Sequence, residues 1–183
     1  MHEQEQGKAL IKHARHAITS QLKAAPAVAD TSTWLQQTGA TFVTLTQNGD
    51  LRGCIGSLEA YRPLLEDVRA NAVAAAFRDP RFIPLTEAEL EITQVEVSLL
   101  SPQEPMSFTD EQDALAQLRP GVDGIVLEYG RYRSTFLPQV WEQLPTPQQF
   151  MAYLKRKAGL PEQFWANEVR LARYTVTKWK EHA

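Results

Sequence analysis

Apolar and polar positions alternate with two different periods along this chain, and the switches between them mark the elements. Residues 5–24 place Leu10, Ile11, Ala14, Ala17, Ile18 and Leu22 at helical spacing, so one face is buried. Pro26 stops that helix, and 27–39 reads as a loop with a short helical piece around Trp34. TFVTLT (41–46) is β-branched and is followed by Asn48-Gly49, a pair suited to the positive φ angles of a two-residue hairpin turn. The return strand is LRGCIGSL (51–58). In a regular two-residue hairpin Cys54 faces Val43 and Arg52 faces Leu45, with Arg52, Cys54 and Gly56 on one face. Gly53 and Gly56 question that regularity, because glycine inside a strand marks a bulge or a close approach.

The helical period returns in LLEDVRANAVAAAFRD (64–79), with Leu65, Val68, Ala72 and Ala76 on one face and Asp79-Pro80 as its stop. RDPRFIPL (78–85) is a proline-stiffened loop with two arginines. ITQVEVSLL (92–100) alternates, with Val95, Val97 and Leu99 inward and Gln94, Glu96 and Ser98 on a polar, solvated face. A short helix follows over 110–118, and 124–137 reads as two strands turning near Gly130. Thr146, Pro147 and Gln149 start a helix by capping, and Gly159 ends it. The stretch 169–181 reads as one strand with basic residues on both faces. Helices and hairpins mix without a β-α-β rhythm, which predicts an α+β fold with a mainly antiparallel sheet and flanking helices.

Composition adds limits. The 183 residues carry a net charge of −3, so no global basic field points to bulk nucleic-acid binding. The charge is uneven: 59–113 holds 12 acidic and 4 basic residues, while 153–183 holds 7 basic and 3 acidic. Most such runs are solvated faces, and the rest are partner surfaces. The single cysteine rules out an internal disulfide and any cysteine-rich metal site, and a lone thiol fits a reducing compartment. The N-terminal stretch has no signal-like apolar core, and no run approaches the roughly 20 apolar residues of a membrane span. The expected location is cytoplasmic.

Cys54 is the obvious chemical candidate. A thiol has a pKa of about 8.5 that a nearby cation lowers, so Arg52 is the candidate thiolate stabiliser, and the N–H groups around Gly53 and Gly56 are a candidate substrate cradle. Against this stands a cysteine that fills space opposite Val43, since free cysteine is among the most buried residue types. The histidines, His2, His13, His16 and His182, all lie near the chain ends. His13 and His16 read as solvated helix positions, and without a third ligand they make no zinc site. Glu96 is a candidate base with Ser98 as its orienting group, although both fit an ordinary solvated strand face. Arg78 and Arg81 flank a proline turn and form a candidate anion clamp, or else pair with Asp79. Lys155, Arg156, Lys157, Arg170, Arg173, Lys178 and Lys180, with Tyr174 and Trp179, are a candidate RNA-binding stripe or the charged guard of an edge strand. No phosphate loop, dinucleotide fingerprint, metal cluster or radical SAM three-cysteine motif is present.

"LRGCIG", "ANAVAAAFRDPRF", "VEVSLLS", "STFLPQV" and "KAGL", in that order, make the chain resemble the AMMECR domain family, also called AmmeMemoRadiSam system protein A. The resemblance runs roughly from Leu10 to Glu181. It implies a single domain over 1–183, built of a larger subdomain containing both termini and a smaller one from the middle of the chain. It also implies work alongside a Memo-like protein and a radical SAM protein. No cofactor is expected for the chain itself. The hexapeptide Leu51–Gly56 is complete, and Arg78-Asp79-Pro80-Arg81 and Leu137-Pro138-Gln139 match as well. Lys155-Arg156 departs from the apolar residues or cysteine that many relatives carry before Lys157-Ala158-Gly159, so no second-cysteine mechanism carries over. Three functions remain open: substrate handling through Cys54, a non-catalytic adaptor that docks those partners, and RNA binding.

Overall fold

The computed structural model describes residues 2–181; of the residues discussed above, His182 lies outside them. The chain divides into two compact units, Met1–Leu100 with Thr177–Ala183, and Ser101–Val176.

The first unit begins with α1 (Glu3–Leu22) and the single-turn α2 (Thr33–Gln36). Next come β1 (Thr38–Gln47), β2 (Asp50–Gly56), the two-residue β3 (Arg62–Pro63), α3 (Leu64–Phe77) and β4 (Thr93–Leu100). The last strand, β9 (Val176–Lys180), joins this sheet, whose order is β2-β1-β4-β9, with β3 paired to the start of β1. β1 runs antiparallel to both β2 and β4. The core lies between one sheet face and the two long helices. Leu10, Ala14 and Ile18 of α1 and Val68, Ala72 and Ala75 of α3 meet Val43, Leu45, Val95 and Val97 there.

That core includes a buried polar knot. Asp67 is fully buried, and its carboxylate accepts from the Thr41 N–H and hydroxyl, the Ser57 hydroxyl, the Asn71 amide and the Arg62 guanidinium. The Asn71 amide also donates to the Thr41 carbonyl at 3.0 Å. With every partner supplied, the knot fixes how α3 seats on β1.

The second unit contains β5 (Glu104–Pro105), α4 (Glu111–Gln117), β6 (Gly124–Tyr129), β7 (Tyr132–Phe136), α5 (Pro147–Ala158) and β8 (Arg170–Tyr174). Its sheet has the order β5-β8-β6-β7, all pairs antiparallel. The Thr146 hydroxyl caps α5 by accepting from the Gln149 N–H, and Gly159 ends it at φ 95°. Trp141 stacks on Phe150 at 3.9 Å between ring centres, and its Nε1–H donates to the Asp123 carbonyl at 2.8 Å. Lys155, the departure noted above, is buried: its ammonium donates to Glu111 and to the Glu162 carbonyl.

Four expectations are corrected. The first concerns the hairpin. Asn48 and Gly49 do take positive φ, 51° and 83°, but Cys54 pairs with Thr44 rather than Val43. A β-bulge between Leu45 and Thr46 on the partner side leaves Arg52 as the extra residue and shifts everything after it by one. Secondly, 169–181 is two strands, broken at Thr175, in two different sheets. The proposed basic stripe is divided accordingly: Lys178 and Lys180 lie on β9, and the other five basic residues lie in the second unit. Thirdly, Ser98 is buried rather than solvated, because it lies beside Phe42 across the sheet. Fourthly, His13 is buried in the α1 face, where its Nε2 lies 2.9 Å from Asp30. His16 is half-buried, with Nε2 at 2.6 Å from the Pro26 carbonyl.

Candidate functional site: the bulged strand and its thiol

Side chains in a sheet alternate between faces, so a one-residue shift exchanges the faces of all that follow. In the regular register Cys54 would point at α3 with Val43, and Gly53 would point outward. The bulge reverses them. Gly53 pairs with Leu45 on the core face, where an added Cβ would lie 2.1 Å from the Ala75 carbonyl oxygen of α3. Cys54 pairs with Thr44 on the opposite face and is partly exposed. The Thr44 hydroxyl lies 3.3 Å from Sγ.

β4 completes a row, because Thr44 also pairs with Glu96. Cys54, Thr44 and Glu96 thus occupy one line on one face. Two strand spacings separate Cys54 from Glu96, about 10 Å between their backbones, with Thr44 between them. The fold brings the candidate thiol and the candidate carboxylate together, but out of direct contact. In the next row Phe42 lies between Gly56 and Ser98, and its ring occupies the space a Gly56 side chain would need, 2.2 Å from an ideal Cβ. Both flanking glycines are therefore packed by the protein itself: Gly53 under a helix and Gly56 under an aromatic ring.

The cation at Cys54 is Arg81 rather than Arg52. Arg81 Nη2 lies 3.5 Å from the Cys54 carbonyl oxygen. Its guanidinium also grips Asp79 through Nε at 3.0 Å and Nη2 at 2.7 Å. Buried Asp79 in turn accepts the Cys54 N–H at 3.0 Å, so the 79–81 turn is tied to the edge of β2 and that N–H is already engaged. Arg81 holds the Asp79 carboxyl well below the usual carboxylate range, with the Cys54 and Arg81 N–H groups adding to the effect. Asp79 raises the Arg81 guanidinium, and the charge of a Cys54 thiolate adds to that in smaller measure.

Arg52, displaced by the bulge, turns to Glu89. It donates through Nε at 3.0 Å and Nη2 at 3.3 Å, a two-point pair. Glu89 sits at the third position of a 3-10 helix (Glu87–Ile92) and forms a full capping box with Thr86. Gln47 donates to the same carboxylate at 3.0 Å. Arg52 first, then Gln47, pull Glu89 down to about 2. The Phe82 ring lies near both guanidinium groups, 5.8 Å from Arg52 and 5.4 Å from Arg81.

Arg78 and Arg81 do not converge. Arg81 belongs to the thiol turn, whereas Arg78 lines a separate groove with His16 and Arg69. Among the described residues no three His, Cys, Asp or Glu side chains gather as metal ligands. Nor is any described helix long and apolar enough to cross a membrane. Thr44 had not been foreseen as a site residue, because its place depends on the bulge. Asp79 is the alternative partner that the sequence offers the turn arginines, and Arg81 does pair with it.

Comparison with known proteins agrees with the ordered motifs. The AMMECR1 family model matches residues 11–179. A protein of Methanothermobacter thermautotrophicus is 37% identical, over 97% of this chain and 95% of its own length. Protein MJ0810 of Methanocaldococcus jannaschii is 35% identical, over 97% of this chain and 90% of its own. The crystal structure of the uncharacterized protein PH0010 from Pyrococcus horikoshii superposes with a TM-score of 0.78 at 32% identity, covering 97% of this chain and 92% of that one. With motif order, fold and near-full-length identity in agreement, this chain belongs to the AMMECR1 family.

Proposed function

We propose that this protein is a substrate-handling subunit that works with a Memo-like protein and a radical SAM protein, and that Cys54 is its contact thiol. The bulge at Arg52 carries the reading. A hairpin without it would bury Cys54 as a small hydrophobe; with it, the thiol stands on the outer face beside Thr44, and Arg81 reaches the carbonyl of the same residue. The thiolate is the reactive form. Glu96 lies far enough away to leave room for a bound molecule between the two groups, where it would serve as a general base or orienting carboxylate. A reduced surface thiol suits a reducing, cytoplasmic setting.

The test is the alkylation rate of Cys54 in the native protein between pH 5 and 10, repeated with Arg81→Gln. The expected result is fast native alkylation that slows several-fold near neutrality in the variant. A thiol that reacts only after unfolding would end this reading.

A second reading, an adaptor that docks the same partners, is favoured by apolar side chains left open around the thiol strand. Ile83, two residues from Arg81, is 76% exposed, and Leu51 is 43% exposed. Ile83→Asp is expected to abolish capture of the partner proteins at low salt while leaving Cys54 alkylation unchanged. Equal capture by the variant would remove it.

A further inference from the structure

Away from the thiol, the first unit holds an open groove of about 730 Å³ along α1 and α3, with residues 27–29 as its third wall. One face of α3 supplies Glu66, Arg69, Ala70 and Val73, at positions i, i+3, i+4 and i+7. His16, Ala17, Ser20 and Gln21 of α1 face them across the groove.

The nitrogen-bearing side chains along it are used differently. Arg69 Nη2 donates to the Val28 carbonyl at 2.9 Å. His16 Nε2 lies 2.6 Å from the Pro26 carbonyl, which only accepts, so that nitrogen carries its proton. Both side chains thus hold the irregular segment 26–28 of the wall in place. Arg78, just past the end of α3, has no hydrogen-bond or ion-pair partner for its guanidinium among the described residues. Glu66 does not neutralise it, because twelve positions of helix put them about 18 Å apart. Between those ends the floor is aliphatic: Ala17, Ala70 and Val73. The groove therefore has a free, planar, five-donor cation at one end and an apolar trough leading away from it.

We propose that this groove binds a small organic anion with an apolar tail, its charged end on Arg78 and its tail along Ala17, Ala70 and Val73. The anionic end is a carboxylate or a phosphate monoester, either of which a guanidinium grips at two points. The site is independent of Cys54.

The experiment is a calorimetric titration of the full chain with four probes: octanoate, octyl phosphate, octanol and inorganic phosphate. Saturable binding of an octyl anion is expected, and which of the two binds more tightly identifies the headgroup. Octanol and inorganic phosphate, each lacking one half of the ligand, should bind at least about tenfold more weakly. Arg78→Gln should weaken the octyl anion about tenfold or more with an unchanged melting midpoint, because the side chain is exposed and unpaired. Ala70→Phe, which fills the trough, should abolish binding, and Cys54→Ser should bind as the parent does. No saturable binding of either octyl anion, or equal binding by Arg78→Gln, overturns the proposal. Binding that survives in Cys54→Ser keeps this result separate from whatever the thiol proves to do.

Discussion

At the scale of single residues, the site is held together by two arginine–carboxylate pairs of different exposure. Arg81 is largely open to solvent, whereas the Arg52–Glu89 pair is mostly covered. Water and salt therefore screen the first more than the second. Arg52 Nη1 is buried without a partner, so its charge depends on Glu89 all the more. Glu89 titrates at about 2 in the fold against an ordinary 4.5. A depressed carboxylate contributes stability that is complete above its unfolded value and is lost as pH falls through its folded one. Glu89→Gln should thus be less stable than the parent at pH 6 by about 2 kcal/mol, the worth of a charged hydrogen bond. The difference should shrink between pH 4.5 and pH 2. Urea melts of both proteins across that range measure it, and a difference that does not change with pH would show that charge is not what joins the pair. The sequence made Arg52 and Cys54 visible as candidates, but Arg52 pairs with Glu89, and the arginine that reaches Cys54, at its carbonyl, is Arg81. Arg52 precedes Cys54 by two, which places them on one face only in a regular strand, and the bulge broke that relation.

At the scale of elements, what was legible and what was not separate by physical cause. Features set by local backbone chemistry could be read directly: the Asn48-Gly49 turn, the Thr146 cap and the Gly159 end each depend on a residue type that the conformation demands. Features set by packing across the fold could not. Nothing in 169–181 says that Thr175 divides two sheets, since no glycine or proline marks it. The helical spacing names Leu65, Val68, Ala72 and Ala76 as the packed face of α3, and nothing in it marks Asp67 and Asn71, which form a buried knot. The bulge itself is a packing event. Gly53 fits under the Ala75 carbonyl because it carries no Cβ, and its place there goes with Cys54 facing outward. Gly53→Ala should therefore destabilise by about 1–3 kcal/mol, because a helix backbone must move. Gly56→Ala should be milder, because the half-buried Phe42 ring that it meets can turn aside. Denaturant midpoints of the two variants give the comparison, and equal losses would mean that helix contact is not what sets the register.

At the scale of the whole molecule, the second unit has the connectivity of an insertion between two strands of the first. The chain leaves the first sheet at Leu100 and returns to it at β9. The ends of the inserted segment are fastened to each other. The Ser101 N–H donates to the Thr175 carbonyl at 2.8 Å, and the Thr175 N–H donates to the Ser101 hydroxyl at 2.8 Å. Segments whose ends lie close and whose core is their own are those that tolerate excision. Among the described residues, the core of this one, from Ile125 and Leu127 to Phe150, Leu154 and Leu171, is built from residues of 101–176. We expect a fragment spanning 101–176 to fold alone, with dispersed amide signals and a single cooperative melt. In the complementary chain a short glycine–serine linker joins Leu100 to Thr177. It should keep β9 beside β4 and Cys54 on its outer face, and so alkylate at the rate of the intact protein. The two fragments test different things. An unfolded 101–176 would mean that the inserted core depends on the rest of the chain. A complementary chain that folds but loses thiol reactivity would mean that the second unit takes part in the chemistry of the first.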